Sequence, residues 1–350
     1  MLFRFSNRWY GFRMDFLGTF TILITAGICI FSRDSVTPAE AGLALANIFQ
    51  FATFIPYLMR MKADYRARFN SVERVCEYAH DLEQEELIKS ENNKLVTDWP
   101  SKGNIVFKEV CFRYKPDMPL VLKNINLNIS SGCKIGVVGR TGAGKTTLFS
   151  AILKLNELES GQIIIDDVDV TTIGLNDLRS KISIIPQDPV LFQGTIRYNL
   201  DPFDQYDDED IWSAIKQAHL YEKIRENEAG LNMEIANEGD NLSVGEKQLL
   251  CLGRALLRRN KILLLDEATA SVDVETDCKI QDTIKEAFSN CTVITIAHRI
   301  HTVMNYDKIV VMNKGEVIEY GAPNQLLEKT NGLFKHMVEL VQIQNTSGAV

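Results

Sequence analysis

Eight consecutive residues, Gly139-Arg140-Thr141-Gly142-Ala143-Gly144-Lys145-Thr146, have the types and spacing to hold a phosphate. Glycines let backbone N–H groups converge on an anion without side-chain clash, and a helix beginning at their end adds positive potential. A lysine at Lys145 reaches β- and γ-phosphates, and a hydroxyl at Thr146 binds Mg²⁺. Gly139, Thr141, Gly142, Ala143, Gly144, Lys145, Thr146 and the following Thr147 are therefore the expected nucleotide cradle, with ATP and Mg²⁺ as cofactors.

A second chemical pair lies downstream. The apolar run Ile262–Leu265 ends in Asp266-Glu267. An acid at a strand end facing the phosphate loop holds Mg²⁺, which suits Asp266. Its neighbour Glu267 is placed to take a proton from an attacking water, a contribution of roughly 10²–10⁴ in rate.

These residues need a scaffold. Lys134–Val138 reads as a buried strand leading into the glycine loop, and Leu148, Phe149, Ile152 and Leu155 then recur at helical spacing. The apolar runs Ile135–Val138, Ile182–Ile185, Ile262–Leu265 and Val293–Ile296 predict strands buried on both faces. Separated by helical segments, they argue for an α/β fold with a mainly parallel sheet, binding nucleotide at the C-terminal strand ends. Ile309–Met312, Asn313-Lys314-Gly315 and Val317-Ile318 predict a closing hairpin.

The N-terminal residues are different. Phe16 to Ser32 and Ala41 to Met59 are uncharged runs of membrane-spanning length. Between them Thr37-Pro38-Ala39-Glu40 predicts a helix start, with Thr37 as N-cap and Glu40 completing a capping box. Arg4, Arg8 and Arg13 before the first span, and Arg60, Lys62, Arg66 and Arg68 after the second, place both ends in the cytoplasm. A signal peptide would instead export an ATP-binding domain to where ATP is scarce. Met61, Tyr65, Phe69 and Val72 extend the second helix beyond the span. The acidic stretch from Asp81 opens a solvated linker that runs to Trp99-Pro100. Arg8, Trp9 and Arg13 read as interfacial anchors, with contact to an anionic aromatic ligand as the alternative.

The net charge of −8 argues against a nucleic-acid partner. Seven cysteines without a C-x-x-C pair predict reduced thiols, and five histidines without ligand spacing predict no structural metal.

Asn241-Leu242-Ser243-Val244-Gly245-Glu246-Lys247-Gln248, followed by a helical pattern through Leu257, resembles the LSGGQ-like signature of the ABC ATPases. The resemblance covers about Ile105 to Leu340 with the family's motifs in order. It implies that Tyr114 stacks on adenine and that Gln187 senses Mg²⁺ and γ-phosphate in a loop facing the membrane domain. It also implies that Ser271-Val272-Asp273 is the D-loop, that His298 is the switch histidine, and that Ser243 and Gly245 face a partner's nucleotide. Gln187, Thr146 and Asp266 form the implied metal set. Two departures stand out. Val244 replaces the first glycine of the signature and Glu246 its glutamine. Glu246 fits a capping box with Ser243, or else it repels a γ-phosphate.

Asn7-Arg8-Trp9, Ser71-Val72-Glu73-Arg74-Val75 and Ser243-Val244-Gly245 resemble subfamily C, the multidrug-resistance-associated proteins. The expected organisation is a partial transmembrane domain over 1–80 (spans about 16–32 and 39–59), a linker over 81–102 and a nucleotide-binding domain over 103–350 with a β-subdomain and a helical signature subdomain. The resemblance implies a multi-pass membrane protein with a cytosolic ATPase domain, a second nucleotide-binding domain as partner, contact with membrane lipid, and ATP-driven export of amphipathic organic anions. An ATP-gated channel, a regulatory subunit or a truncated ATP-binding product is the alternative. Two helices do not enclose a translocation path, so this sequence is expected to be the C-terminal part of a larger transporter.

Overall fold

The computed structural model describes residues 2–32, 34–82, 99–266, 274–297 and 300–347. They divide into two units, one ending at Gln84 and the other beginning at Glu85.

The first unit is a pair of helices, α1 (Leu2–Phe31) and α2 (Pro38–Asp81). α2 starts where its chemistry dictates. Glu40 Oε2 accepts from the Thr37 N–H at 2.9 Å while the Thr37 side chain accepts from the Glu40 N–H, with Pro38 in the first turn. From there it runs unbroken for 44 residues. That is about 66 Å of helix, roughly twice the thickness of a bilayer core, so its charged second half extends well past a span. Both helices are long and apolar enough to cross a membrane, and neither apolar stretch contains a fully buried residue. Thr19, Thr21 and Thr25 turn their hydroxyls back onto carbonyls four residues earlier, which satisfies them without water. The helices approach closely at Gly18, where a Cβ would lie 3.4 Å from that of Ala52.

The second unit is built on a six-stranded sheet and a four-stranded one. β1 (Ile105–Phe112), β2 (Leu122–Ile129), β4 (Ser160–Ile165) and β5 (Val168–Asp169) form the antiparallel sheet in the order β2-β1-β4-β5. The larger sheet has the order β12-β11-β3-β10-β9-β6. Its members are β3 (Lys134–Gly139), β6 (Ile182–Ile185), β9 (Ile262–Asp266), β10 (Thr292–Ile296), β11 (Lys308–Asn313) and β12 (Glu316–Gly321). All neighbours are parallel except the closing β11–β12 hairpin. A short pair, β7 (Gly194–Thr195) with β8 (Glu234–Ile235), stands apart.

Both faces of the large sheet are covered at its centre, which is why β9 and β10 are buried along nearly their whole length. Ile262 and Leu264 of β9 point to a core shared with the small sheet and α3 (Lys145–Ile152), whereas Leu263 and Leu265 point the other way. That opposite core is closed by the helical segment. It contains α5 (Ile196–Leu200), α6 (Asp208–Gln217), α7 (Tyr221–Glu226), α8 (Val244–Arg258) and α9 (Val274–Ala287), whereas Leu178 of α4 (Leu175–Ser180) packs into the first core. Truncating a fully buried leucine such as Leu264 to alanine costs about 2–5 kcal/mol. A third core holds Val138, Ile309 and Val311 against α10 (Ile300–Val303), α11 (Pro323–Glu328) and α12 (Leu333–Ser347). Buried Glu319 caps α12, accepting from the N–H groups of Leu333 at 2.8 Å and Phe334 at 3.2 Å.

Trp99, read from sequence as the end of a solvated segment, is instead part of the first of these cores. Its ring is buried and its Nε1–H donates to the Ile165 carbonyl at 2.9 Å. Asp166 fixes the neighbouring backbone by accepting from the N–H groups of Lys102, Gly103 and Asn104. The polar stretch before Trp99 lies outside the described residues.

Candidate functional site

The strand registers bring the candidate residues to one edge. Ile296 of β10 stands opposite both Val137 of β3 and Asp266 of β9, and Leu265 of β9 stands opposite Ile185 of β6. The C-terminal ends of β3, β9 and β6 are therefore level. Gly139 closes the first, Asp266 the second, and Gln187 follows the third by two residues.

At this edge the chain after β3 turns into α3 through glycines. Gly142 and Gly144 have φ of +79° and +99°, backbone that side chains other than glycine's rarely adopt. Gly139 is tight for another reason, since a Cβ there would sit 2.4 Å from the Met312 carbonyl oxygen. The loop is braced from outside as well. The Gly315 N–H of the β11–β12 turn donates to the Ala143 carbonyl at 3.1 Å. Lys145, only 7% exposed, donates from Nζ to the Gly139 and Arg140 carbonyls at 3.0 and 3.4 Å. Its ammonium is thereby curled over the loop that precedes it. Thr146 is exposed beside it at the start of α3.

Tyr114 is tied to the same helix. Its hydroxyl shares a 3.0 Å hydrogen bond with Thr147 Oγ1, and its ring stands edge-on to Phe112 at 5.2 Å and 87°. The remainder of the ring is open to solvent at 43% exposure, a flat surface held at the phosphate loop's flank.

The donor set fits a nucleotide with Mg²⁺. The Thr146 hydroxyl, the Asp266 carboxylate and the Gln187 amide are hard oxygen donors, and magnesium takes few protein ligands when phosphates supply others. Among the described residues no group of three or more His, Cys, Asp or Glu side chains forms a metal cluster. Glu267, Asp273 and His298, with Ser271 and Val272, lie outside the described residues.

Ser243 caps α8, and its capping box with Glu246 is complete. Glu246 Oε2 accepts from the Ser243 N–H at 2.8 Å, and the Ser243 hydroxyl accepts from the Glu246 N–H at 3.2 Å. The other carboxylate oxygen meets Lys223 Nζ of α7. Burial pushes the Glu246 carboxyl up. The hydrogen bonds from Lys223 and Ser243 and the Lys223 charge outweigh it and hold the group below the ordinary glutamate value. The residue that departs from the family glutamine is thus turned back onto its own helix and neutralised. Gly245 is buried because α9 presses on it. A Cβ there would lie 3.1 Å from Thr276 Cγ2. Val244 remains exposed.

Sequence reasoning missed two contacts around this site. Lys223 carries no local signal for its pairing with Glu246. Gln248 was read only as part of the signature, yet its buried amide donates to the main-chain carbonyls of Pro186 and Gln187. The seven cysteines all lie among the described residues and each is free. Burial pushes the Cys251 and Cys291 thiols up, which makes them poor nucleophiles.

Residues 122–270 match the ABC transporter family profile. Over 342 residues the chain is 46% identical to ATP-binding cassette sub-family C member 2 of Rattus norvegicus and of Homo sapiens, covering 98% of this chain and 22% of each relative. It is 43% identical over 334 residues to sub-family C member 3 of Mus musculus. The chain therefore spans about a fifth of the length of the curated relatives it matches. Among solved structures, one described as a bacterial Atm1-family ABC exporter with ATP bound superposes with a TM-score of 0.79. It is 26% identical, and the match covers 94% of this chain and 57% of that one.

Proposed function

Because this chain belongs to the ABC transporters, and among them to subfamily C, we propose that it binds and hydrolyses ATP with Mg²⁺ as the motor of an exporter. Lys145 leaves the Gly139 and Arg140 carbonyls for the β- and γ-phosphates, and the glycine loop's N–H groups close on them. Thr146, Asp266 and Gln187 hold Mg²⁺, which when bound spreads the negative charge of the phosphates. Tyr114 stacks on adenine. Glu267 takes the proton of the attacking water, and His298 contacts the γ-phosphate. Ser243 and Gly245 at the head of α8, with Asp273, face the nucleotide of a second nucleotide-binding domain.

The membrane part follows from the same reading. α1 and α2 cross a bilayer with both ends cytoplasmic, and the ATPase domain that follows in the chain is cytosolic. Transport of amphipathic organic anions belongs to the larger assembly, because two helices do not enclose a path.

The observation that supports the ATP reading most is the cradle itself. Two left-handed glycines feed α3, and a buried lysine is curled over them. Equilibrium binding of a fluorescent ATP analogue with Mg²⁺ tests it. The wild-type chain saturates and Lys145→Met loses at least about tenfold in affinity, the loss expected on removing a charge-assisted phosphate contact. Equal binding by both would overturn it. ATP-driven uptake of an organic anion into vesicles carrying the assembly supports a pump, whereas current without uptake identifies a gated channel.

A further inference from the structure

Gln248 is 2% exposed, on the second turn of α8. Its Nε2 donates to the Gln187 carbonyl at 2.9 Å and to the Pro186 carbonyl at 3.3 Å. Its Oε1 is equally buried and accepts no hydrogen bond. An amide with one end unsatisfied costs stability that a methionine of similar shape would not. Its value therefore lies in what the satisfied end holds, which is the backbone of Gln187, two residues beyond the C-terminal end of β6.

The grip on this segment is double. Six residues further along α8, the Arg254 guanidinium donates to the Val190 carbonyl at 2.7 Å, the Asn199 carbonyl at 2.6 Å and Asn199 Oδ1 at 2.9 Å. Asn199 in turn closes the loop, accepting from the Phe192 N–H and donating to the Phe192 and Thr195 carbonyls. The stretch from Pro186 to Asn199 is thus fastened to one helix at its start and its end. That helix begins at Ser243 and Gly245. A rigid helix moves as a unit, so displacing its first turn carries Gln248 and the Gln187 backbone with it.

We propose that Gln248 is a positioning residue, fixing Gln187 at the phosphate loop's edge and tying its placement to the signature end of α8. It deepens the reading in which Gln187 meets Mg²⁺ and the γ-phosphate, and rests on it. The link joins the half of the domain that faces its own nucleotide to the half that faces a partner's. Gln187 itself is exposed and is held by Gln248 at its carbonyl, so the coupling runs through the main chain.

The test is a double-mutant cycle on the purified 350-residue chain, reading MgATP and MgADP affinity across a magnesium titration. Gln248→Met keeps the shape and removes the donor. It is expected to weaken MgATP at least threefold more than MgADP and to raise the magnesium needed for half-maximal ATP binding. Gln187→Ala should do the same. The double variant should be no worse than Gln187→Ala alone, because Gln248 acts through Gln187. Equal losses for ATP and ADP, or additive losses in the double variant, would reduce Gln248 to a structural prop and overturn the proposal. A shift in Gln187→Ala with none in Gln248→Met overturns it too. If Gln187→Ala is silent while Lys145→Met still abolishes binding, the role given to Gln187 fails and the proposal falls with it. Should Gln248→Met not fold, Gln248→Asn retains the amide but withdraws it by one methylene, and is held to the same outcomes.

Discussion

Lys223 of α7 and Glu246 of α8 form an ion pair across the head of the signature helix, with Glu246 also capping that helix through Ser243. A carboxylate here sits where the helix dipole and any facing phosphate both respond to its charge. The lysine makes the substitution tolerable, because the pair as a whole is neutral. Lys223→Met therefore exposes an uncompensated negative charge. The ATP-dependent association of nucleotide domains should weaken by roughly two- to fivefold, the range of an exposed pair worth up to about 1 kcal/mol. Adding Glu246→Gln should restore it, since an amide needs no counter-charge. Sedimentation with MgATP decides the matter: an unaffected Lys223→Met, or a double variant no better than the single, counts against the compensation.

The same carboxylate gives stability a pH dependence of definite sign. Glu246 is held below the ordinary value of 4.5 in the folded domain. A lowered carboxylate contributes stability above that ordinary value and loses it as pH falls through the folded one. Glu246→Gln keeps a carbonyl for the Ser243 N–H but gives up the charge. The melting temperatures of wild type and variant should differ at neutral pH and converge on acidification below 4.5. A gap that stays constant with pH would mean that the pair adds nothing.

How much of this was legible depended on range. The phosphate loop, the capping box at Thr37 and Glu40, and the four apolar strands are local patterns, and each appears where its own residues predict it, although the edge strand β6 leaves Ile184 exposed instead of buried. The β11–β12 hairpin turns at Lys314 and Gly315, both with positive φ. The small antiparallel sheet was legible only as the β-subdomain that the resemblance implies, not from the residues of its own strands. β2, with its buried positions separated by exposed ones, signals one wet face but not which strand pairs with it, and β1 carries register shifts against both neighbours. Nor was Trp99 readable as core, because its partner carbonyl at Ile165 lies far along the chain. The ties that position the site fail for the same reason. Gln248 to Gln187 and Lys223 to Glu246 are contacts between elements, and no spacing rule connects them.

Tyr114 offers a prediction that separates ring from hydroxyl. The ring is steadied by Phe112 on one edge and by the Thr147 hydrogen bond at its tip. Tyr114→Phe keeps the stacking surface and loses one hydrogen bond, so MgATP affinity should fall by about two- to fivefold. Tyr114→Ala removes the surface, and about tenfold or more is expected from the lost base stacking. Magnesium tripolyphosphate, which has no base, should bind all three proteins alike. If alanine weakens tripolyphosphate as much as ATP, the ring supports the loop and does not read adenine.

Gly315 shows how the hairpin supports the nucleotide cradle. At φ +87° its N–H reaches the Ala143 carbonyl at 3.1 Å and its own carbonyl accepts from the Lys123 N–H at 2.8 Å. A Cβ there would lie 2.1 Å from the Val121 carbonyl oxygen, which as backbone has nowhere to go. Gly315→Ala must therefore push the turn away from the loop. Gly132 is the control, having φ +71° but nothing within 4 Å of a built Cβ. Gly132→Ala should cost only its backbone conformation, about 1–2 kcal/mol. Gly315→Ala should cost more than that in chemical denaturation and should also weaken MgATP, because the displaced N–H releases Ala143. Equal stability losses, with nucleotide binding intact in both, would mean that the turn and the phosphate loop are independent.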